Sequence, residues 1–258
     1  MQLKQFFGTF SLVYILTLFF LYTYANTCLS FLPFLIVLLI LSWSLIEFKL
    51  QQRKCISSCL FTKNSLLYRF FTSPYLLTLF LTSYSIVLTT TVFLELLFFT
   101  KVIWIYLVFH TVFMVYLYNK LLNTLKPSVT PQMLKLVARE FSIKIGSLML
   151  FILFSVVLYY SDTPEYIASS ITQTQLNIAH STIGSSCTIV DTLIQVKLYL
   201  YTNSYWALSN ITGTLQNEYV KYILWVLFII TNSLSALGLS RVIAQIIYMI
   251  DKYFGVKR

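Results

Sequence analysis

A chain of 258 residues that is 58% apolar and only 10% charged, with a mean hydropathy of +0.80, does not read as a water-soluble domain. Its 18 Lys and Arg against 8 Asp and Glu would point to nucleic acid in a soluble protein. Here the cations fall between apolar runs of membrane-spanning length, which excludes that partner. The 4 cysteines follow neither a disulfide framework nor a zinc pattern. Phe (22) and Tyr (19) are abundant while Gly (6) and Pro (5) are scarce, a bias that fits an AT-rich, organelle-type gene.

The first predicted span is Phe6–Tyr24, preceded by Lys4. It has the outline of a signal peptide, but Thr23-Tyr24-Ala25 is a poor cleavage site, so the segment is expected to be retained. Span two, Phe31–Phe48, has Pro33 in its first turn, where the missing N–H costs no hydrogen bond. Lys49–Ser73 follows with five cations and no acid. Pro74 opens span three, Tyr75–Phe98, and a tight turn at Thr100-Lys101 leads into span four, Val102–Tyr118. Asn119–Lys144 is again basic. The spacing of Met133, Leu136, Val137 and Phe141 predicts a helix on the membrane surface that runs into span five, Ile145–Tyr160.

Ser161–Val220 is polar but carries few charges. Two apolar repeats at helical spacing, Ile183, Cys187, Val190, Ile194 and Ile189, Leu193, Val196, Leu200, predict helices there. The sixth span is placed at Tyr222–Leu239, followed by a basic helical tail holding Arg241, Asp251, Lys252, Lys257 and Arg258. Alternating sides from an inside N-terminus put fifteen of the 18 cations inside, leaving Lys101, Lys197 and Lys221 outside. The expected fold is an all-α integral membrane protein of about six transmembrane helices. Residues 1–160 form a five-span region with two basic inside loops, 161–220 a small helical extramembrane cap, and 221–258 the sixth span and tail. Both termini are expected on the matrix or cytoplasmic side of a mitochondrial inner membrane or a bacterial cytoplasmic membrane.

No dinucleotide-binding glycines, phosphate loop, HExxH or CxxC occurs, and no internal repeat supports an inverted-repeat transporter. Glu95 and His110 are the ionisable residues expected well inside a span, about 7 Å and 14 Å from the turn near Thr100. Thr89–Thr91, with Thr90 at the centre, lie level with His110 and are its expected hydrogen-bond partners. Glu95 is placed to pair with Lys101 or to meet interfacial water. These contacts are read as structural ahead of a proton or ion path. Cys55 and Cys59 read as free thiols or lipid-attachment sites, because their loop offers no further metal ligand. His180 reads as a surface or interface residue. Asn210-Ile211-Thr212 forms a glycosylation sequon that matters only in a secretory context.

Ser235-Ala236-Leu237-Gly238-Leu239-Ser240-Arg241, with Gln245 four residues on, resembles the arginine helix of the proton-channel subunit a of rotary ATP synthases. In that family an arginine and an amide face the rotor ring. The resemblance is confined to this short stretch and lacks the long helix that follows in the family, so no family membership is read from it. A membrane anchor is the simpler reading of Arg241.

The function expected is therefore a non-catalytic subunit of a multi-protein membrane complex, with a respiratory-chain or ATP synthase assembly as the candidate setting. A channel or transporter component is the alternative, weakened by the few Gly and Pro in the spans. The expected partners are other membrane subunits or copies of the chain and the lipid bilayer. The cap residues Ile189, Leu193, Val196, Leu200 and Trp206 are expected at the interface. No catalytic residue, cofactor or metal is expected.

Overall fold

The computed structural model describes residues 2–26, 29, 31–60, 73–97, 99, 101–160, 173, 188, 190–199, 201–202, 219–220, 222–223, 225–226 and 234–253. Every regular element among them is helical. Six helices are long and apolar enough to cross a membrane. They are α1 (Gln2–Asn26), α2 (Phe31–Leu60), α3 (Pro74–Leu96), α4 (Lys101–Leu125), α5 (Pro131–Tyr160) and α6 (Leu234–Tyr253). Pro74 sits in the first turn of α3, where a helix tolerates it without losing a hydrogen bond.

Side-chain contacts give the helix directions. Asn119 near the end of α4 donates to Gln5 at the start of α1, which donates to the Ile247 carbonyl of α6. Glu47 of α2 accepts from Tyr248 and Lys252 of α6, and Lys135 near the start of α5 pairs with Asp251. The start of α1, the later parts of α2 and α4, the start of α5 and the end of α6 therefore share one end of the bundle. At the other end Phe93 of α3 packs on Phe20 and Phe34, and Phe99 bridges Trp104 and Phe154.

α6 is the central helix: it touches all five others. Its apolar window is 72% buried, against 28–44% for the remaining five. Those five turn large apolar side chains outward, among them Leu18, Leu39, Phe80, Phe109 and Ile152. Polar side chains such as Ser44, Arg139, Glu140 and Gln245 are buried instead. Apolar faces outside and polar groups inside are compatible with an integral membrane protein.

Two structural findings bear on the sequence expectation. Among the described residues the last helix of spanning length is Leu234–Tyr253, which includes most of the expected tail, while much of the expected span Tyr222–Leu239 lies outside the described residues. The tail carries a continuous apolar face (Val242, Ile243, Ile246, Ile247) that the bundle buries, while Arg241, Asp251 and Lys252 pair with Glu140, Lys135 and Glu47. Second, α5 is one helix from Pro131, in which Leu136 is buried and Lys135 and Arg139 reach α6, while Phe141 is exposed. Most described Ser and Thr in the long helices bond within their own helix. Thr9, Thr17, Ser85, Thr89, Thr111 and Ser142 each donate to the carbonyl four residues back. This local partner is always within reach, so a hydroxyl needs no neighbouring helix.

Close helix approach uses glycine at two places. At Gly146 of α5 a Cβ would overlap the Met114 sulfur of α4. At Gly238 of α6 it would overlap the Val92 side chain and meet the Leu88 carbonyl oxygen of α3 at 3.3 Å.

Candidate functional site

The most unusual chemistry lies inside the bundle, between α2, α5 and α6. Arg139 is completely buried and uses all five guanidinium N–H donors. Its Nε donates to Glu140 Oε1 at 3.2 Å. Nη1 donates to Glu47 Oε2 at 3.0 Å and Gln245 Oε1 at 2.8 Å. Nη2 donates to the Ser44 carbonyl and to Glu140 Oε1, both at 2.9 Å. The Tyr248 ring packs 4.9 Å from the guanidinium carbon. One side chain thus ties three helices together.

Glu140 bridges to a second arginine. Arg241 Nη2 lies 3.3 Å from Glu140 Oε2, and Nη1 reaches Glu140 Oε1 at 3.4 Å and Ser44 Oγ at 3.5 Å. These bonds are longer than those of Arg139. Arg241 Nε and Gln245 Nε2 are buried without a partner among the described residues. Glu47 closes the network at its outer rim, accepting from Tyr248 at 3.0 Å and from the exposed Lys252 at 3.2 Å. Nearby, Asp251 pairs with Lys135 at 2.8 Å and accepts from Tyr118 at 3.3 Å. Paired, hydrogen-bonded charges are the form in which ions survive in a low-dielectric interior.

The sequence reading did not find this cluster. Arg139 and Glu140 were counted with a basic loop, and Arg241 was read as an anchor beyond a span. A signal was present: Arg241, Gln245, Tyr248 and Lys252 recur at i, i+4, i+7, i+11, a polar stripe on one helix face. The structure also departs from the resemblance to the arginine helix. Arg241 and Gln245 point into their own bundle, Gln245 being fully buried, and not outward toward another protein.

His110 and Glu95 have other partners than expected. His110 is buried, but its Nε2 lies 3.2 Å from Ser240 Oγ of α6, while Thr89, Thr90 and Thr91 all bond within α3. The reason is the central position of α6, which places Ser240 on the α4 face that carries His110. Glu95 pairs not with Lys101 but with Lys197 of the 190–199 helical segment, at 3.0 Å. Burial holds the Lys197 ammonium below the usual lysine range, and the Glu95 charge acts against that shift. Glu95, His110 and Thr90 are therefore not brought into one site.

The same segment packs Ile194 and Leu198 against Leu94 of α3 and Leu97 just after it. Its opposite face exposes Leu193, Val196 and Tyr199. Of the expected interface, Leu193 and Val196 are thus uncovered by this chain, whereas Ile189, Leu200 and Trp206 lie outside the described residues, as do His180 and Asn210. Cys55 and Cys59 fall on α2, with their side chains outside the described set. Among the described residues no group of three or more His, Cys, Asp or Glu converges to hold a metal. A small cavity lined by Val13, Leu16, Val37, Val92, Phe93 and Ile243 is apolar, and the Thr17 hydroxyl beside it is committed to the Val13 carbonyl.

No family model matches the chain, and no curated protein or solved structure matches it either.

Proposed function

We propose that this protein is a non-catalytic membrane subunit, held in a larger assembly through its 190–199 segment. The observation that supports this reading is the two-faced character of that segment. Ile194, Leu198 and Lys197 are engaged with α3, which orients the helix and leaves Leu193, Val196 and Tyr199 as an uncovered apolar face. Outside a bilayer such a face gains free energy by being covered, and the few charges of residues 161–220 do little to repel a neighbour. The AT-rich composition favours an organelle-encoded respiratory-chain or ATP synthase assembly as the setting.

Leu193→Lys and Val196→Lys are expected to leave the chain in the membrane but release it from its complex. Native gels of solubilised membranes check this by a shift from a large assembly to the free chain. Unchanged migration of both variants would remove the proposed interface.

The loop charges further support an orientation with both termini on the matrix or cytoplasmic side. A cysteine introduced at Thr174 is then expected to react with an impermeant reagent added from the opposite side, and one at Ser57 to be protected. Labelling of Ser57→Cys alone would reverse the orientation.

The buried charges favour one second reading, passage of protons or ions through the bundle, since intramembrane ionisable groups often mark such paths. Full engagement of the Arg139 donors argues for a fixed strut instead. Proton uptake by liposomes containing the purified chain alone would make transport the better reading.

A further inference from the structure

The end of the bundle where α1 starts and α6 ends holds three described acids, Glu47, Glu140 and Asp251. All three are turned inward and paired with Arg or Lys. The cations at this end are not all used in that way. Lys49, Lys120, Lys126 and Lys144 are exposed, and none of them has a salt-bridge partner among the described residues. Among the described residues the outward surface there is consequently one of cations without intervening carboxylates.

Lys49, Lys120 and Lys144 stand beside aromatic rings. Lys49 Nζ lies 5.9 Å from the Phe48 ring, Lys120 Nζ 5.8 Å from Tyr116, and Lys144 Nζ 5.5 Å from Phe141. Lys252 Nζ lies 5.4 Å from Tyr248 and 5.9 Å from Tyr253. On α4 the outward stripe Ile105, Phe109, Val112, Tyr116 ends at Lys120. On α5 Phe141 and Lys144 stand at the head of the outward residues Leu148 and Ile152. On α4 apolar stripe, then aromatic ring, then ammonium is the order of environments from hydrocarbon through the interface to the phosphate layer, and on α5 Lys144 stands between the apolar residues and the Phe141 ring, from where its long stem reaches outward. A nucleic acid would meet these lysines beside exposed apolar side chains that it could not cover.

We propose that this end of the bundle binds anionic phospholipid headgroups through Lys49, Lys120 and Lys144, with Lys252 adding to the field. The proposal rests on reading the six helices as membrane spans, and goes beyond that reading in assigning lipid selectivity to one end. Inward pairing of Glu47, Glu140 and Asp251 is what makes the selectivity possible, because an exposed carboxylate beside these lysines would repel the phosphate. A lysine near an anionic surface strengthens attachment by about fivefold, and salt screens the attraction.

The test is reconstitution of the full chain into nanodiscs of phosphatidylcholine containing a minority of phosphatidylglycerol. Detergent extraction and quantification of the co-retained lipids follow. Phosphatidylglycerol is expected to be enriched several-fold over the starting mixture, with the enrichment falling as salt is raised. The triple variant Lys49→Gln, Lys120→Gln, Lys144→Gln should return the ratio to that of the mixture, and the corresponding triple Arg variant should restore it. Lys252 is left in place because it pairs with Glu47. Retention of both lipids in the bulk ratio by the wild-type chain overturns the proposal. So does full enrichment in the Gln variant, or an RNA oligonucleotide that binds the chain in phosphatidylcholine-only nanodiscs and displaces phosphatidylglycerol. Failure of the chain to enter any nanodisc would instead count against the membrane reading, so the two failures are distinguishable. Should the Gln variant not fold, the wild-type ratio and its salt dependence decide.

Discussion

Replacing Arg139 by leucine is expected to destabilise the bundle by about 3–5 kcal/mol, the usual cost of removing one partner from a buried ion cluster. The loss comes from what the variant leaves behind more than from the five bonds themselves. Glu140 would keep only the longer contacts to Arg241, Glu47 would lose its buried partner, and the Ser44 carbonyl and Gln245 would lose a charged donor. Arg139→Lys should recover only part of this, since an ammonium has three donors and cannot match the planar fork. Unfolding in mixed detergent micelles, followed by circular dichroism, gives the comparison. The double variant Arg139→Met, Glu47→Gln is expected to be less damaging than Arg139→Leu, because it removes charge from both sides while Glu140 keeps its pair with Arg241. Wild-type stability in Arg139→Leu would show that the network contributes nothing to the fold.

The second large effect is expected at Gly238. An alanine there meets the Leu88 carbonyl oxygen at 3.3 Å and overlaps Val92, and backbone cannot swing aside as a side chain can. α3 and α6 must then separate, at a cost of about 1–3 kcal/mol. Gly146→Ala has the opposite character, because the group in its way is the flexible end of Met114. It should cost clearly less. Equal destabilisation of the two variants in the same unfolding assay would mean that the α3–α6 approach does not depend on glycine. Since α6 is the helix all others contact, Gly238→Ala is also expected to lower the yield of inserted protein more than Gly146→Ala.

Several features were legible from residues alone, for identifiable reasons. Spans one to five follow from continuous apolar runs, a local property that survives whatever the helices pack against. The helical character of 190–199 was readable from two apolar repeats, and the structure separates them: Ile194 faces α3 while Leu193 and Val196 face outward. The interior placement of the charges on α6 was not legible. Arg241, Asp251 and Lys252 made the stretch look too charged for an interior, and their compensation comes from α2 and α5, far away in sequence. The resemblance around Arg241 was likewise silent on whether the side chain points out of the bundle or into it.

By itself, then, the sequence determined that this is an all-helical chain with helices of membrane-spanning length and cations gathered between the apolar runs, because length, apolarity and charge are properties of each segment. Only the tertiary structure decided that α6 lies at the centre, that His110 meets Ser240, and that Glu95 meets Lys197. It also decided that Arg139, Glu140, Glu47 and Arg241 form one buried network. Each of these depends on which faces of distant helices meet, and the free energy of a buried charge is set by its partners, which no local pattern contains.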